Sequence, residues 1–380
     1  MSSTSPRKID FAHFNWGAAA YLFLAPVGAI VGLTVYISRF GVHPLEPVLF
    51  VLFYLLSGLG ITAGYHRYYS HQSYRCHPIV QIFHLIFGAI ALQQPVYDWA
   101  RNHRLHHRYS DTDRDPHNIR RGFFWAHMGW VLFDHGYEGN YTTVKDLSDN
   151  RLVQWQRRLY WPIFVLFAIG LPLFLGSLYG RPGGALLWAG LLRIVLQSHA
   201  TYAINSFAHT FGRRPHSTRT EARDSLLLAL VSHGEGYHNY HHRFASDYRN
   251  GHLWHHWDPT KWFIKGLSYF GLTYDLKRAP QTQLLQAKLE RDLQTVRERI
   301  ASFSAEVQHA CEERLSAAGE RLEQLAQRFQ EARQRYREGR RQRSQDRHEW
   351  RERMLELREQ FQEALAAWSR LIHQPQLALA

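Results

Sequence analysis

Two long apolar runs come early in the chain, Ala18 to Ile37 ("AAAYLFLAPVGAIVGLTVYI") and Glu46 to Tyr65 ("EPVLFVLFYLLSGLGITAGY"). Each is about the length that crosses a bilayer as a helix, and the link between them holds few charges. A second pair follows at Leu159 to Tyr179 and Gly183 to Ala203. The pattern predicts four transmembrane helices in two pairs. Arg193, inside the last run, needs a polar neighbour. A fifth apolar stretch, Ile79 to Val96, contains Gln81, His84, Gln93 and Gln94. It either spans or lies along the interface, and this decides whether the polar segments flanking it share one side of the membrane.

After about Pro280 the pattern changes. Leu289, Leu293, Val296, Ile300, Phe303 and Val307 alternate in steps of four and three, a heptad seam that weakens after Cys311 and partly returns at Leu322, Leu325 and Phe329. Residues 281–380 hold 18 basic and 16 acidic side chains, so nearly all of the net charge of +13 lies ahead of this segment. The segment reads as a long charged helix or coiled-coil hairpin. It either folds on itself or serves as a self-association or partner-binding module. Acids interleave its arginine-rich run "RQRYREGRRQRSQDR", which argues against nucleic acid as a partner. The chain divides into residues 1–17, a cytosolic N-terminal segment; 18–280, a membrane domain; and 281–380, a charged helical extension. The polar start "MSSTSPRKIDFAHFNWG" lacks the apolar core of a cleavable signal, so none is expected.

Composition adds one unusual number, 25 histidines. There are only two cysteines, Cys76 and Cys311, so no disulfide framework or Cys-ligated cluster is expected. The histidines gather in "HRYYSH" (His66 to His71), "HRLHH" (His103 to His107) and "HNYHH" (His238 to His242). His103, His106 and His107 stand at i, i+3 and i+4, as do His238, His241 and His242. On a helix each trio lies on one face. His66 and His71 are five apart, about 140° around a regular helix. They reach one centre only if the helix ends between them, or they serve two metals. "NSFAH" adds Asn205 and His209 at i, i+4.

Nine imidazoles and an amide exceed what one metal uses. They suit two, with positions left open for oxygen or water, and imidazole suits iron, copper and zinc alike. A shared centre requires all the clusters on one side, and hence the interfacial option for residues 79–96. Arg7, Lys8, Arg67, Arg101, Arg104, Arg108, Arg120, Arg121, Arg157 and Arg158 fall on that side against Arg39 and Arg181 opposite, which makes it cytosolic. Arg67, Arg104 and Arg108 beside the boxes disfavour protonated imidazole. The isolated His84, His117, His127, His135, His199, His216 and His233 read as surface or core side chains. "HLWHH", His252 to His256, repeats the spacing in a Trp-rich segment beside "WDPTKWF" and reads as a decoy.

The order "HRYYSH", "DWARNHRLHHRYSDTDRDPHNIRRGFFWAHMGW", "NSFAHTFG", "GEGYHNYHH" resembles the membrane-bound stearoyl-CoA desaturase family, from about Ala18 to Asp275. The resemblance implies an all-α integral membrane protein: four transmembrane helices and a cytosolic helical cap holding a di-iron site. It carries the ligand roles onto His66, His71, His103, His106, His107, His209, His238, His241 and His242, with Asn205 acting through water. The implied reaction is O2-dependent removal of two hydrogens from a saturated acyl chain, giving a cis double bond, usually delta-9. An unactivated methylene has no acidic proton, so acid/base side chains alone cannot do this, whereas a redox metal that activates O2 can.

Gln93, Trp99 and Thr201 match positions that shape the family's kinked acyl tunnel, and Arg101 matches an arginine near the CoA headgroup. Other headgroup positions depart from the pattern. Asn102 stands where an acid is expected, Asp134 and His135 where a basic pair is expected, and Gln94 where an asparagine is expected. Acyl-CoA is the first substrate expected, with acyl groups on phospholipid or acyl carrier protein as alternatives. With no haem-binding domain or nucleotide-binding glycine fingerprint in the sequence, electrons are expected from an external ferredoxin- or cytochrome-type donor, reduced by an NAD(P)H reductase and docked on the basic cap. A membrane hydroxylase of alkane, sterol or carotenoid is the nearest rival. A metal transporter would place its ligands within the spans. The arginine-rich, lysine-poor tail points to a GC-rich bacterial genome, and so to a bacterial cytoplasmic membrane with the site facing the cytoplasm.

Overall fold

Asn15 starts the first helix, its side chain accepting from the Ala18 amide at 2.9 Å, as a good N-cap does. The computed structural model describes residues 14–133, 144–342 and 346–373, so the expected headgroup positions Asp134 and His135 lie outside the described residues. Helices dominate. The two-residue strands β1 (Arg75–Cys76) and β2 (Thr273–Tyr274) pair antiparallel.

Helix α1 (Trp16–Phe40) and helix α2 (Leu45–Ser70) are long and apolar enough to cross a membrane, as is α5 (Tyr160–Ser177). Their outward side chains are apolar, Phe23, Leu24, Val27 and Ile30 on α1 among them, which suits lipid rather than water. Between α2 and α5 come α3 (Pro78–Ala89) and α4 (Val96–Tyr109). The stretch expected at Ile79 to Val96 is therefore not one element. Its helix has 12 residues, about 18 Å of rise, too short for a hydrocarbon core of about 30 Å.

The fourth expected span is helical throughout residues 182–206, here α6. Its second half carries Arg193, Gln197, Ser198 and His199, so among the described residues apolarity alone singles out three spans, not four. Arg193 is fully buried and does have polar neighbours: it donates to the carbonyl of Ile90 at 2.7 Å and that of Ala189 at 3.0 Å. Ile90 closes α3, so the guanidinium meets the negative end of that helix.

Short helices α7 (Leu226–Val231), α8 (His238–Arg243) and α9 (Pro259–Ser268) complete the first compact unit, residues 1–214 with 219–278. The second unit, residues 215–218 with 279–380, holds α10 (Gln281–Ile300), α11 (Ala305–Gln342) and α12 (Arg347–His373). Leu289, Val296, Ile300, Cys311, Leu315, Leu322, Leu325, Leu357 and Trp368 form its core. The heptad seam is thus buried within the chain. It is also broken: α10 stops at Ile300, and Phe303 lies in the following turn, exposed. The alternating four-three rhythm runs on through a turn that it cannot detect.

Candidate metal centre

Four segments bring the boxes together. α2 changes character over Gly60–Ser70, where it becomes a π-helix. The backbone N–H of His71 then bonds to the carbonyl of His66 at 3.1 Å, five residues back. A π-turn closes on the fifth residue rather than the fourth, and such turns are frequent at functional sites. This resolves the awkward five-residue spacing of the first box. α2 widens and then ends at Ser70, between His66 and His71, as the spacing required, and both rings join one cluster.

α4 carries His103, His106 and His107, and α8 carries His238, His241 and His242. Each trio is divided. His66, His71, His103, His107 and His241 form one group, and His106, His209, His238 and His242 form another, with the candidate ligand atoms of each group all within 4.8 Å of one another. On a regular helix the i+4 ring falls slightly to one side of the first and the i+3 ring falls to the other. His107 therefore joins His103 at one centre, while His106 is handed to the second. In the third box the same split sends His242 with His238 and hands His241 across. His209 follows α6 in a short 3-10 turn. Asn205, four residues earlier, lines the cavity beside the second group.

Nε2 atoms point inward throughout. They approach each other at 2.8 Å for His71 and His103, 2.9 Å for His66 and His241, 2.9 Å for His107 and His241, 3.1 Å for His209 and His238, and 3.1 Å for His238 and His242. Buried lone pairs so placed call for a shared electrophile. The donor set fits two imidazole-binding metal ions.

The outward nitrogens carry a supporting layer that the sequence reading missed. His106 Nδ1 lies 2.8 Å from Asp115, His209 Nδ1 3.1 Å from Asp111 and His66 Nδ1 2.8 Å from Glu235. Carboxylates behind ligand imidazoles hold the tautomer and orient the ring. Asp115 also accepts from the amides of Asp111 and His117, so its loop is wound around the same carboxylate. The signal was present in the quoted "SDTDRDPH" and "GEGYHNYHH", but nothing in linear spacing ties Asp111 to His209, 98 residues away. Replacing Asp115 by Asn is expected to weaken metal binding about 10–100-fold. Titration of the apo protein with ferrous iron checks this, and unchanged affinity would show Asp115 to be structural only.

Burial pushes His71, His103, His107, His238, His241 and His242 well below the usual imidazole range, reinforced by the neighbouring rings. The expected repulsion from adjacent arginines is a minor contributor. Arg67 is neutralised by Glu235 at 2.9 Å and Asp258 at 3.0 Å, and Arg104 by Asp146 at 2.6 Å. For His106 burial acts downward, but Asp115 and Asp111 outweigh it and its pKa is raised. Burial would raise Asp115, but His106 brings it down to about 2.

The remaining histidines divide as follows. His84 is fully buried and bonded to the Tyr74 hydroxyl at 2.8 Å. His127 and His199 meet at 3.1 Å outside the clusters. His117 is buried against Trp130, lines the cavity and groups with His106 and Asp115. The decoy box joins no metal-capable group among the described residues. His252 stacks on Tyr240 and His256 on Tyr237, with centroids at 4.4 and 4.3 Å, so two of its rings buttress the third box, and His255 is exposed.

A cavity, partly open to the outside, borders both clusters. His66 and His103 of the first and His238 of the second face it, with Gln93, Trp99 and Thr201. Gln93 donates to the Thr201 hydroxyl at 2.9 Å, and Trp99 stacks on His103 with centroids 5.0 Å apart. Gln94 and Asn102 also line it and bond to each other at 3.3 Å. Arg101, half-buried on α4, is not among its lining residues.

Apolar helices of bilayer length and a paired histidine centre beside a cavity define a helical membrane protein of the multi-histidine metal class. The fatty acid desaturase model matches residues 43–276. A probable acyl-CoA desaturase of Schizosaccharomyces pombe is 40% identical over 277 residues, 72% of this chain and 56% of the relative. Acyl-CoA desaturase 1 of Saccharomyces cerevisiae is 36% identical over 298 residues, 77% and 57% of the two chains. The stearoyl-CoA desaturase of Capra hircus is 38% identical over 284 residues, 73% and 78%. The chain belongs to the fatty acid desaturase family and is similar to its acyl-CoA and stearoyl-CoA desaturases. It spans a little over half the length of the two yeast relatives.

Proposed function

We propose that the protein is an O2-dependent fatty acyl desaturase that removes two hydrogens from a saturated acyl chain and leaves a cis double bond, at delta-9 and on acyl-CoA. The observation that carries this reading is a cavity bordered by both histidine clusters at once. A methylene chain has no polar handle at the reacting carbons, so position must come from the walls. Trp99 and the hydrogen-bonded pair Gln93 and Thr201 supply those walls beside His66 and His103. The relatives' names as acyl-CoA desaturases favour CoA as the carrier.

His66, His71, His103, His107 and His241 would hold one iron, and His106, His209, His238 and His242 the other, with Asn205 reaching the second through water. When bound, the two irons supply one-electron redox chemistry and activate O2. The protein's own side chains do the rest. Glu235, Asp115 and Asp111 fix the His66, His106 and His209 rings with Nε2 inward. Burial keeps bulk water from the reacting carbons.

Balance requires that O2 take two hydrogens from the chain and two electrons with two protons from elsewhere, leaving two waters. The electrons come from an external ferredoxin- or cytochrome-type donor with its NAD(P)H reductase. α6 is the fourth span, the site faces the cytoplasm of a bacterial membrane, and the helical extension folds on itself around its own apolar seam.

The test is a fatty-acid profile of membranes from cells expressing the chain with a compatible donor and fed deuterated stearate under air. The expected product is a mono-unsaturated acid two deuterium or hydrogen atoms lighter, its double bond at carbon nine. A hydroxylated acid would overturn the desaturase reading in favour of a hydroxylase.

A further inference from the structure

Helix α7 lies between the turn that carries His209 and the third box, in a stretch without a charge: "SLLLALVSH", Ser225 to His233. Four of its six residues turn apolar side chains outward. Leu226 is 60% exposed, Leu227 69%, Leu230 50% and Val231 48%. On a water-facing surface this contiguous patch would be costly.

Three contacts place α7 against the apolar length of α2. The Tyr54 hydroxyl donates to the Val231 carbonyl at 2.6 Å. Tyr54 stands near the middle of the apolar run from Glu46 to Tyr65. The His233 ring stacks on Tyr54 with centroids 5.2 Å apart, and it fills the space beside Gly58, leaving no room there for a side chain. The outward residues Val48, Val51, Leu52 and Leu55 of α2 are exposed and apolar too, so α7 continues a surface that composition already assigns to lipid.

Hydrocarbon demands that backbone polar groups find partners inside the protein, and four such groups at the ends of α7 do so. The Ser225 hydroxyl accepts from the Leu228 amide at its start. At its end the Leu228 carbonyl accepts from the Ser232 amide and hydroxyl, and the Ala229 carbonyl accepts from Gly234. Val231 is served by Tyr54.

We infer that α7 is embedded in the acyl chains of the bilayer, as an intramembrane anchor of the cap. This rests on reading the protein as a membrane protein. The anchor leads directly to the site: Ser232, Glu235 and His238, all cavity-lining, follow closely after Val231. The third box is therefore tethered to the bilayer through α7, packed beside α2.

The test places a single cysteine at Leu227 or, separately, at Leu230, in the full chain with Cys76 and Cys311 replaced by alanine. The cysteine is labelled with a nitrobenzoxadiazole fluorophore and the protein is reconstituted in phosphatidylcholine nanodiscs. Both positions are expected to give blue-shifted emission, quenched by doxyl-labelled phosphatidylcholine and protected from iodide. Labels at Leu24 on α1 and at exposed Asp113 serve as lipid and water references. Quenching by iodide at 227 and 230, with Leu24 still quenched by doxyl lipid, overturns the anchor and leaves the membrane reading intact. If Leu24 also fails to report lipid, the membrane reading itself falls. Blue-shifted emission without doxyl quenching, lost when each disc holds one chain, would assign the surface to a second copy and overturn the proposal.

Discussion

His241→Ala and His106→Ala are each expected to reduce desaturation to background while the protein stays in the membrane. The two substitutions strike different centres. His241 touches His66 and His107 in the first cluster, and His106 belongs with His209, His238 and His242 in the second. In each cluster the other members already point their Nε2 atoms at the same space, so the missing donor is not replaced from within the cluster. Removing one leaves an incomplete donor set around a buried, water-poor centre. Metal content per chain should therefore fall in both variants, alongside product formation from labelled stearate. His255→Ala is the control. That ring is exposed in the decoy box, outside either cluster, and its loss should leave most activity. Substantial turnover in His241→Ala or His106→Ala would sink the ligand assignment, whatever the family resemblance.

Arg67→Ala should be the most destabilising single change in the membrane unit. Its guanidinium is 1% exposed and donates to Glu235, to Asp258 and to the Tyr248 carbonyl at 2.8 Å. Asp258 would keep the amides of Asn250, Gly251 and Lys261. Glu235 would lose its guanidinium partner and keep Asn250 and the His66 ring. Stripping one partner from a buried pair leaves an uncompensated charge, at a cost of about 3–5 kcal/mol. A lowered thermal midpoint in detergent is the expected outcome. Arg75→Ala is the comparison: its pairing with Asp275 at 3.6 Å is exposed on both sides, and such pairs contribute about 0–1 kcal/mol. Equal midpoints for the two variants would show that Arg67 does not hold the site together.

The two predictions differ in how visible their grounds are in the chain. Apolar runs of bilayer length announce α1, α2 and α5, because lipid exposure demands an uninterrupted run and tolerates few alternatives. α6 is less visible, since Arg193, Gln197 and Ser198 face the protein interior, where a hydrogen bond replaces apolarity as the requirement. His103, His106 and His107, and likewise His238, His241 and His242, could be grouped from spacing, because i, i+3 and i+4 are neighbours on any helix. The same holds for the heptad rhythm of Leu289, Val296 and Ile300, which is a local periodicity that packing then uses.

Tertiary structure alone decided which histidine joins which cluster. The widening of α2 over Gly60–Ser70 depends on hydrogen bonds five residues apart, which no residue pattern encodes, and it turns His71 back towards His66. The carboxylates at Asp111 and Glu235 acquire their role from the rings of His209 and His66, far away along the chain. The decoy box has the same spacing as the others, and only its stacking on Tyr237 and Tyr240 shows what it does. Helix periodicity is a property of neighbours along the chain, so the sequence determined the spans, the seam and the identity of the clustered rings. The division into two centres, their supporting acids and the lipid-facing turn at Leu226–Val231 arise from side chains distant in sequence, and their positions exist only once the chain has packed.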